Sequence, residues 1–415
     1  MMNVLQTKSI PVTMKMVTEA YRQVRANKGG AGVDGITLER YEADISKQLY
    51  KVWNRLTSGS YFPPEVRLVQ IPKANGKKRD LGIPTVGDRV AQQVIKTYIE
   101  PRYEAKFSQN SYGYRPYKRA HQALEVCRKN CWKYDWVIDL DIKGFFDNID
   151  HSWMMRMLEE ETKEKWVLMY VKRWLEAPTR KPDGEVQTRA KGTPQGGVIS
   201  PLLANIYLHY SFDLWMEKKH RETAFERYAD DVIVHCQSKR EAEEKLATIK
   251  ERLAKFGLEL SDEKTKIVHC KRGKQADRKD ETLKFTFLGH DFKPKSSLNR
   301  KTGKKFLSYD AAMSKTARVK ISQTLKEQNI HRRTDISLKE IGEMINLKVR
   351  GWINYFEKYG RNELWHIFLG LNHRLIKWWK RKHKLESIYE AVEQLKAEQG
   401  KNLLLFAHWK AGYTI

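Results

Sequence analysis

The segment ERYADDVIVHC, from Glu226 to Cys236, sets two adjacent aspartates within what otherwise resembles a β-hairpin. Aromatic and β-branched residues favour strands, so FERY forms one predicted arm, ADD the bend and VIVHC the other arm. Asp230 and Asp231 repel each other, and burial would cost several kcal/mol for each unless a partner compensated the charge. A divalent cation would do so, because hard ions such as Mg²⁺ prefer carboxylate oxygens. The alternative is a pair of turn aspartates at strand ends.

A second acidic strand precedes this hairpin in the sequence. Strand alternation places Asp139 and Asp141 on one face of WVIDLDI, residues 136–142. If the two strands are neighbours in one sheet, Asp141 converges with Asp230 and Asp231. Three such carboxylates would hold two Mg²⁺ ions about 3.5–4 Å apart, an arrangement that stabilises both the attacking and the leaving oxygen in phosphoryl transfer.

The composition points to a polyanionic partner. The 415 residues include 78 Lys and Arg against 51 Asp and Glu, which gives a net charge of +27. Such an excess usually indicates nucleic acid, and a merely soluble basic protein is the weaker alternative. We expect two or three domains from the length, and no membrane segment or signal peptide. Four cysteines without a CxxC pair predict buried free thiols rather than a zinc site.

Local patterns predict several elements. Helical spacing of apolar residues predicts amphipathic helices over 14–24 and 38–56. Residues 66–84, VRLVQIPKANGKKRDLGIP, predict a hairpin with an Asn-Gly turn. The cations near its tip either contact phosphate or keep a strand edge soluble. Ser200 and Pro201 predict a helix start, with Ser as the cap and Pro at the first position.

The last third of the chain differs in character. Residues 301–415 contain 23 Lys and Arg against 11 Asp and Glu, a net charge of +12, together with five of the 12 tryptophans. Apolar stripes over 345–356 and 364–378 predict a small helical domain. We interpret its aromatic residues as core rather than base-stacking platforms, and its cations as the nucleic-acid contacts.

Several blocks in a fixed order resemble the reverse transcriptases encoded by group II introns. YADD, DIKGFFDNIDH and GTPQGGVISPLLANIYL carry the resemblance, and IPKANGKKRDLGIPTVGDRVAQQVI, SYGYRPYKRAHQAL, FGLELSDEKTKIVH and FTFLGHDF fall where the family has them. The similarity covers about residues 10–300, and the basic tail resembles the thumb, or maturase, domain.

The resemblance implies an α+β right-hand polymerase fold, with an antiparallel sheet in fingers and palm and an α-helical thumb. It implies a helical amino-terminal extension over 1–60, fingers and palm over 61–298, and a thumb or maturase domain over 299–415. The absence of an endonuclease tail resembles the shorter, group IIC-like type.

The resemblance also implies the metal ligands. Asp141, Asp230 and Asp231 match the catalytic carboxylates that bind two Mg²⁺ ions, with Mn²⁺ as a substitute. The backbone carbonyl of Ile142 would join them. Asp139 falls outside the matching position, and we interpret it as a structural or supporting carboxylate.

The resemblance also implies which residues form the nucleotide pocket. Lys73 and Arg79 match cations that bind the triphosphate, and Gln195 matches a residue lining the pocket. Phe146 matches a ring that would collide with a ribose 2′-hydroxyl, so deoxynucleotides are favoured. The alternative is that Phe145 and Phe146 are both core residues.

Two further cations each have two alternative roles. Lys264 matches a lysine near the phosphates that could act as a general acid for pyrophosphate, although a lysine after a helix is often simply solvated. Arg115 either contacts the template backbone or braces a helix.

The implied function is RNA-directed DNA synthesis from dNTPs on an RNA template with a DNA primer. The protein would also bind its own group II intron RNA to assist splicing and retrohoming. The alternatives are a splicing maturase with little polymerase activity and a domesticated reverse transcriptase in repair or defence. We expect a cytoplasmic, bacterial, nucleic-acid-associated protein, and a homodimer is left open.

Overall fold

A computed structural model describes most of the chain. The described residues are 10–72, 76, 78–273, 282–299 and 301–415. Two of the predicted hairpin-tip cations, Lys73 and Lys77, lie outside them. Over the described part, no helix combines the length and the apolar character that a membrane span requires.

The chain packs as two compact units. The first comprises Met1–Ala123 and Ile138–Lys266, and the second Leu124–Val137 and Ile267–Ile415. This division follows packing within the chain. The three domains expected from the sequence, with boundaries after residues 60 and 298, stay a prediction.

The chain up to Lys266 mixes helices and short strands, so the predicted α+β class is confirmed. The helices are α1 (Met14–Asn27), α2 (Leu38–Ala43), α3 (Ile45–Thr57), α4 (Val86–Glu104), α5 (Ala120–Lys133), α6 (Phe145–Asn148), α7 (His151–Glu161), α8 (Lys165–Leu175), α9 (Ser200–Leu208), α10 (Leu214–Lys219) and α11 (Lys239–Ala254). The strands are β1 (Val66–Pro72), β2 (Lys78–Ile83), β3 (Trp136–Asp141), β4 (Thr179–Arg180), β5 (Val186–Gln187), β6 (Phe225–Tyr228) and β7 (Asp231–Cys236).

The basic hairpin is confirmed. β1 and β2 pair antiparallel, from Arg67 opposite Ile83 to Pro72 opposite Lys78. Their sheet has the order β2-β1-β4-β5, in which β1 and β4 run parallel. The ends of both strands next to the turn are exposed, and only the end of β2, Lys78–Asp80, is charged.

Two local expectations were wrong. The stripe over 38–56 predicted one helix, but Asp44, at φ −124° and ψ 36°, separates α2 from α3. Asp is a weak helix former, and the apolar spacing continues across the break. Ser200 was expected to cap α9, yet Ile199 occupies that position. The Ser200 hydroxyl instead lies 2.9 Å from the hydroxyl of Thr193.

The second unit combines an antiparallel sheet with long helices. Its strands from Lys266 onward are β8 (Lys266–His269), β9 (Phe285–Phe287), β10 (His290–Leu298) and β11 (Lys305–Met313). Its helices are α12 (Lys315–Glu327), α13 (Leu338–Lys382), α14 (Ile388–Lys401) and α15 (Ala407–Lys410). β11, β10 and β9 pair in that order, and the predicted helical character of the tail is confirmed.

The two apolar stripes of the tail belong to one helix, α13, which bends at Gly360. Trp378 and Trp409 are buried in the core of this unit, as expected. Trp365 is 46% exposed, so the interpretation of the aromatic residues as core fails for that ring. A Cβ atom at Gly360 would lie 2.7 Å from the Cβ of Met313, which explains why glycine occupies the bend.

We predict that Gly360→Ala destabilises the protein by about 1–3 kcal/mol, because β11 must move away from the added methyl group. Gly351→Ala is the matched control, since no atom of the described residues that could clash lies within 4 Å of a Cβ at that position of the same helix. That control should stabilise by about 0.5–1 kcal/mol through helix propensity. Urea unfolding of both variants measures the difference, and equal midpoints would contradict the packing argument.

A buried carboxylate organises the core of the first unit. Asp88 is 1% exposed and accepts hydrogen bonds from the Tyr61 hydroxyl at 2.8 Å, Trp174 Nε1 at 2.8 Å and Gln92 Nε2 at 2.9 Å. Burial raises the pKa of Asp88 to about 6, although these three donors oppose the rise. The group therefore links α4 to α8 and to the segment before β1.

We predict a pH-dependent stability from Asp88. Its pKa in the folded state, about 6, lies above the ordinary 3.8, so the folded protein binds more protons between these values. Stability from this group is present below about pH 4 and decreases as pH rises through 6. Relative to Asp88→Asn, the free energy of unfolding should fall by about 3 kcal/mol from pH 4 to pH 7. Urea titrations at several pH values test this, and parallel curves would contradict it.

Candidate active site

The two adjacent aspartates lie at a tight hairpin turn, as the sequence predicted. β6 and β7 pair antiparallel with Tyr228 opposite Asp231, so Ala229 and Asp230 form a two-residue turn. Ala229 has φ +57°, in the left-handed region that residues with a side chain rarely adopt. This strained turn needs support from its surroundings.

A fully buried arginine supplies that support. Arg227 Nη1 donates to the carbonyl oxygen of Ala229 and to Asn205 Oδ1, both at 3.0 Å. Its Nε and Nη2 donate to the two carboxylate oxygens of Asp213 at 2.8 and 2.5 Å. Both charged side chains are fully buried. The bidentate pair compensates the buried charges and fixes the guanidinium beneath the turn.

Asp213 owes its position to a π-helical turn, His209–Asp213, between α9 and α10. The wider turn loosens backbone pairing, and Arg252 donates to the carbonyl oxygens of Tyr210 at 3.0 Å and Ser211 at 2.8 Å. Burial lowers the pKa of His209 to about 4, so that ring stays neutral beside Asp213 at physiological pH. π-Turns of this kind are frequent at functional sites.

A glycine lets a second segment approach the turn. A Cβ at Gly113 would lie 2.4 Å from the backbone nitrogen of Ala229, closer than side chains allow. Asn205 Nδ2 donates to the carbonyl of Gly113 at 2.8 Å, and the Tyr112 nitrogen donates to the Arg227 carbonyl at 2.8 Å. The turn is therefore fixed by Arg227 and by the segment that contains Gly113.

The strand that carries Asp141 is the neighbour of β7, in a sheet of order β6-β7-β3-β8. The Asp141 carbonyl accepts from the Ser261 nitrogen at 2.8 Å, and its nitrogen donates to Thr265 Oγ1 at 3.3 Å. Ile142 forms a bridge with Leu260. The adjacency of the two acidic strands, which the sequence only assumed, is present.

The carboxylates interact electrostatically. Burial, together with the charges of Asp230 and Asp141, raises the pKa of Asp231 to about 6, against the opposing charge of Lys264. The pKa of Asp230 is also raised, first by burial, with a contribution from Asp141. Burial and the neighbouring Asp231 raise the pKa of Asp139 to about 7. Repulsion of this kind is relieved by a bound cation.

Cations from the chain surround this acidic group. Lys264 Nζ lies 3.0 and 3.1 Å from the two oxygens of Asp141. Arg79, on β2, carries a charge that lowers the pKa of Asp230, and its Nε donates to Gln195 Oε1. The segment with Gln195 is itself tied to β2, because the Gly82 nitrogen donates to the Gln195 carbonyl at 2.7 Å. Three residues predicted from the sequence, Arg79, Gln195 and Lys264, therefore lie close to the aspartates.

The two phenylalanines are both buried, Phe145 to 1% and Phe146 to 6% exposure. Their rings meet edge-on with centroids 5.5 Å apart. The Phe146 carbonyl accepts from the Thr193 nitrogen at 2.8 Å, which places Phe146 beside the segment that carries Gln195. Its contact with a sugar stays a prediction.

Arg115 was expected either to contact the template backbone or to brace a helix, and its contacts favour the second role. It pairs with Glu104 at 2.6 Å and donates to the carbonyls of Ser108 and Ser111 at 2.5 and 2.8 Å. Its side chain is 2% exposed, which leaves little surface for a template phosphate. Lys73, the other predicted triphosphate contact, lies outside the described residues.

The acidic group fits a divalent cation by the chemistry of its donors. Asp141, Asp230, Asp231 and the Ile142 carbonyl offer hard oxygen ligands. In the described part of the chain, the oxygens of the three aspartates do not all lie within 4.8 Å of one another. A bound divalent cation would therefore draw these oxygens closer together.

The chain matches known families over most of its length. Residues 71–292 match the family described as reverse transcriptase (RNA-dependent DNA polymerase). The chain belongs to the reverse transcriptase family. Residues 318–395 match the maturase-specific domain of group II introns. Members of this family use divalent metal ions and bind nucleic acids, which agrees with the acidic group and the basic surface.

The relatives of this chain include a protein encoded by a group II intron. The chain is 32% identical to the group II intron-encoded protein LtrA of Lactococcus lactis subsp. cremoris over 285 residues, 66% of this chain and 45% of LtrA. It is 31% identical to protein YkfC of Escherichia coli K12 over 318 residues, 66% of this chain and 79% of YkfC. An uncharacterized 91 kDa protein in a cob intron of Schizosaccharomyces pombe is 27% identical over 81% of this chain and 49% of that protein. The chain thus spans about half the length of LtrA.

Two features of the reverse transcriptase were missed by sequence reasoning. Arg227 and Asp213 are 14 residues apart and carry no pattern that predicts their pairing. Tyr114, with φ +57°, is 51% exposed, and Asp230 raises its pKa after burial does. Tyr114 follows Gly113, whose backbone approaches the Ala229 turn. The glycine before it was the one available signal, since Gly113 marks a close backbone approach.

We predict that Arg227→Lys reduces primer extension at least about tenfold, because an ammonium cannot bond Asp213 bidentately and also reach the Ala229 carbonyl. Arg89→Lys is the matched control, since that buried arginine also bonds backbone carbonyls, but those of Lys28 and Gly30. Thermal unfolding should show both variants folded at the assay temperature. A folded Arg227→Lys protein with native activity would contradict the supporting role.

Proposed function

We propose that the protein is an RNA-directed DNA polymerase that joins dNTPs to a primer 3′-hydroxyl. The observation that carries the proposal is the adjacency of β3 and β7, which puts Asp141 in electrostatic contact with Asp230 and Asp231. Membership of the reverse transcriptase family gives this acidic group its reaction class. The primer oxygen attacks the α-phosphorus of the dNTP, and pyrophosphate leaves.

Asp141, Asp230, Asp231 and the carbonyl of Ile142 would hold two Mg²⁺ ions, or Mn²⁺ in their place. Bound there, such ions supply stabilisation of the charge that develops on the attacking and leaving oxygens. The protein contributes a fixed turn, because the Arg227–Asp213 pair holds the backbone on which Asp230 sits.

The remaining candidate residues bind and select the nucleotide. Arg79 and Lys73 would hold the triphosphate, and Gln195 would line the pocket beside Arg79. Phe146 would exclude a 2′-hydroxyl, with Phe145 packed behind it. Lys264, now paired with Asp141, would turn to the phosphates as charge builds there.

We propose that the second unit binds RNA, including the group II intron RNA of this protein, and so assists splicing. Its support is the maturase-specific match over 318–395 and a basic cavity of about 480 Å³ between α12 and α13. Four cations line this cavity against one carboxylate, and all but one lie within the match: Lys315, Arg318, Lys326, Arg374 and Glu363. Action on nucleic acid in a bacterial cytoplasm follows from the same proposal, and a homodimer stays a prediction.

We predict that Asp230→Ala lowers cDNA synthesis to background, because removal of one carboxylate disrupts the cation site. The assay is extension of a DNA primer on an RNA template with Mg²⁺, with deoxy- and ribonucleoside triphosphates compared. Asp183→Ala, on an exposed turn, is the control and should keep native activity. Binding of intron RNA should survive in both variants.

Two outcomes would reject parts of this proposal. Equal cDNA yield from Asp230→Ala and the native protein would remove these aspartates from the reaction. No synthesis by the native protein, together with intact intron RNA binding and splicing, would favour the maturase alternative. The flanking genomic sequence separates a mobile intron protein from a domesticated repair or defence enzyme.

A further inference from the structure

A separate cavity lies in the first unit, and none of the candidate polymerase residues that the structure describes lines it. It has a volume of about 140 Å³ and is bounded by α2, α3, the start of α4 and the segment 61–64. That volume corresponds to about four or five waters in bulk liquid. One planar heterocycle is an occupant of the same scale.

The floor of the cavity is aromatic and contains an unsatisfied polar group. Tyr41 is 2% exposed, and within the described residues its buried hydroxyl has no hydrogen-bond partner. Tyr61, 5% exposed, directs its hydroxyl to Asp88 instead. Buried polar groups in native proteins almost always form hydrogen bonds. We therefore expect an occupant of the cavity to form a hydrogen bond with the Tyr41 hydroxyl.

One wall offers a stacking surface. The ring of Phe62 is 66% exposed although it is a large apolar group. The guanidinium of Arg173 lies over this ring, 3.8 Å from its centroid, which holds the ring in place. Exposed aromatic rings fixed in this way are platforms for unpaired bases in single-stranded nucleic-acid binding.

The rim of the cavity carries charge and hydrogen-bonding groups. Lys51 and Arg55 are one turn apart on α3, both exposed, and neither has an ion-pair partner in the part of the chain that the structure describes. Asp34 and Gln48 line the same cavity and offer acceptors and donors. Free cations beside an aromatic cavity suit a phosphate attached to a base.

We propose that this cavity accepts one unpaired base of a single-stranded nucleic acid, with its flanking phosphates against Lys51 and Arg55. The Tyr41 hydroxyl and the side chains of Asp34 and Gln48 would bond the edge of the base. A base-paired duplex cannot enter, because its bases are stacked and their edges are occupied. The site would anchor a strand at the amino-terminal side of the first unit, independently of the polymerase reaction.

A glycine allows the cavity to be filled without disturbing the fold. A Cβ at Gly87 would lie 3.7 Å from Val52 and 3.8 Å from the Tyr41 hydroxyl, both ordinary contact distances. Gly87→Leu therefore places a side chain inside the cavity. Gly351→Leu is the matched control, because that helical glycine has open space around it. Tyr41→Phe removes the hydroxyl alone.

The experiment uses the full chain and eight-nucleotide strands that carry one 5-iodouracil base, as RNA and as DNA. Irradiation links this base to a stacked aromatic ring, and peptide mapping identifies the residue. We expect crosslinks to Phe62, Tyr61 or Tyr41, and the stronger of the RNA and DNA signals identifies the strand. Gly87→Leu should reduce them at least about tenfold, and Tyr41→Phe about fivefold. Gly351→Leu should leave them unchanged.

The outcomes that overturn the proposal are equally definite. Absence of crosslinks within 34–64 for both strands, or crosslinks unchanged in Gly87→Leu, rejects the base site. Equal crosslinking by a strand annealed to its complement also rejects it. Primer extension and melting temperature are measured in parallel, and Gly87→Leu should match the native protein in both. Failure of the base site therefore stays distinguishable from failure of the polymerase.

Discussion

The buried ion pair between Arg227 and Asp213 is the interaction on which the candidate site depends. It holds the carbonyl of Ala229, and so fixes a strained two-residue turn at the point where Asp230 meets Asp231. A buried pair of this kind gains little stability over an apolar core, yet loss of one partner is expensive. The ion pair matters here because it fixes the conformation of the turn, and a site built from carboxylates requires one fixed conformation. The π-helical turn that delivers Asp213 serves the same end.

Near that turn, basic side chains of the protein partly offset the negative charge of the aspartates. Lys264 pairs with Asp141, and Arg79 lies near Asp230 while it bonds Gln195. The aspartates raise one another's pKa, so the acidic group favours a cation of high charge. Binding of such a cation would release Lys264 and Arg79 toward phosphates. Under the proposed function, the same residues would pair with acidic or polar groups in the free protein and with phosphates in the complex.

Much of the site was readable from local pattern. The hairpin around Asp230, the strand ending at Asp141 and the basic β1–β2 hairpin have turn or alternation signals within about ten residues. Predictions failed where a distant partner overrode a local preference. Ser200 bonds Thr193 instead of capping α9, and the stripe over 38–56 breaks at Asp44 without losing its spacing. The Arg227–Asp213 pair had no local signal, and Gly113 was the one local sign that Tyr114 lies near the turn.

The sequence by itself determined the element types, the basic surface, the acidic pair and the family, because these depend on residue identity and on spacing along the chain. The tertiary structure alone decided that β3 lies beside β7 and that a buried arginine supports the turn. It also decided that the Tyr41 hydroxyl, in a cavity, has no hydrogen-bond partner among the residues that the structure describes. The physical reason is that strand order and burial arise from contacts between segments far apart in the chain. No periodicity within one segment encodes its neighbour.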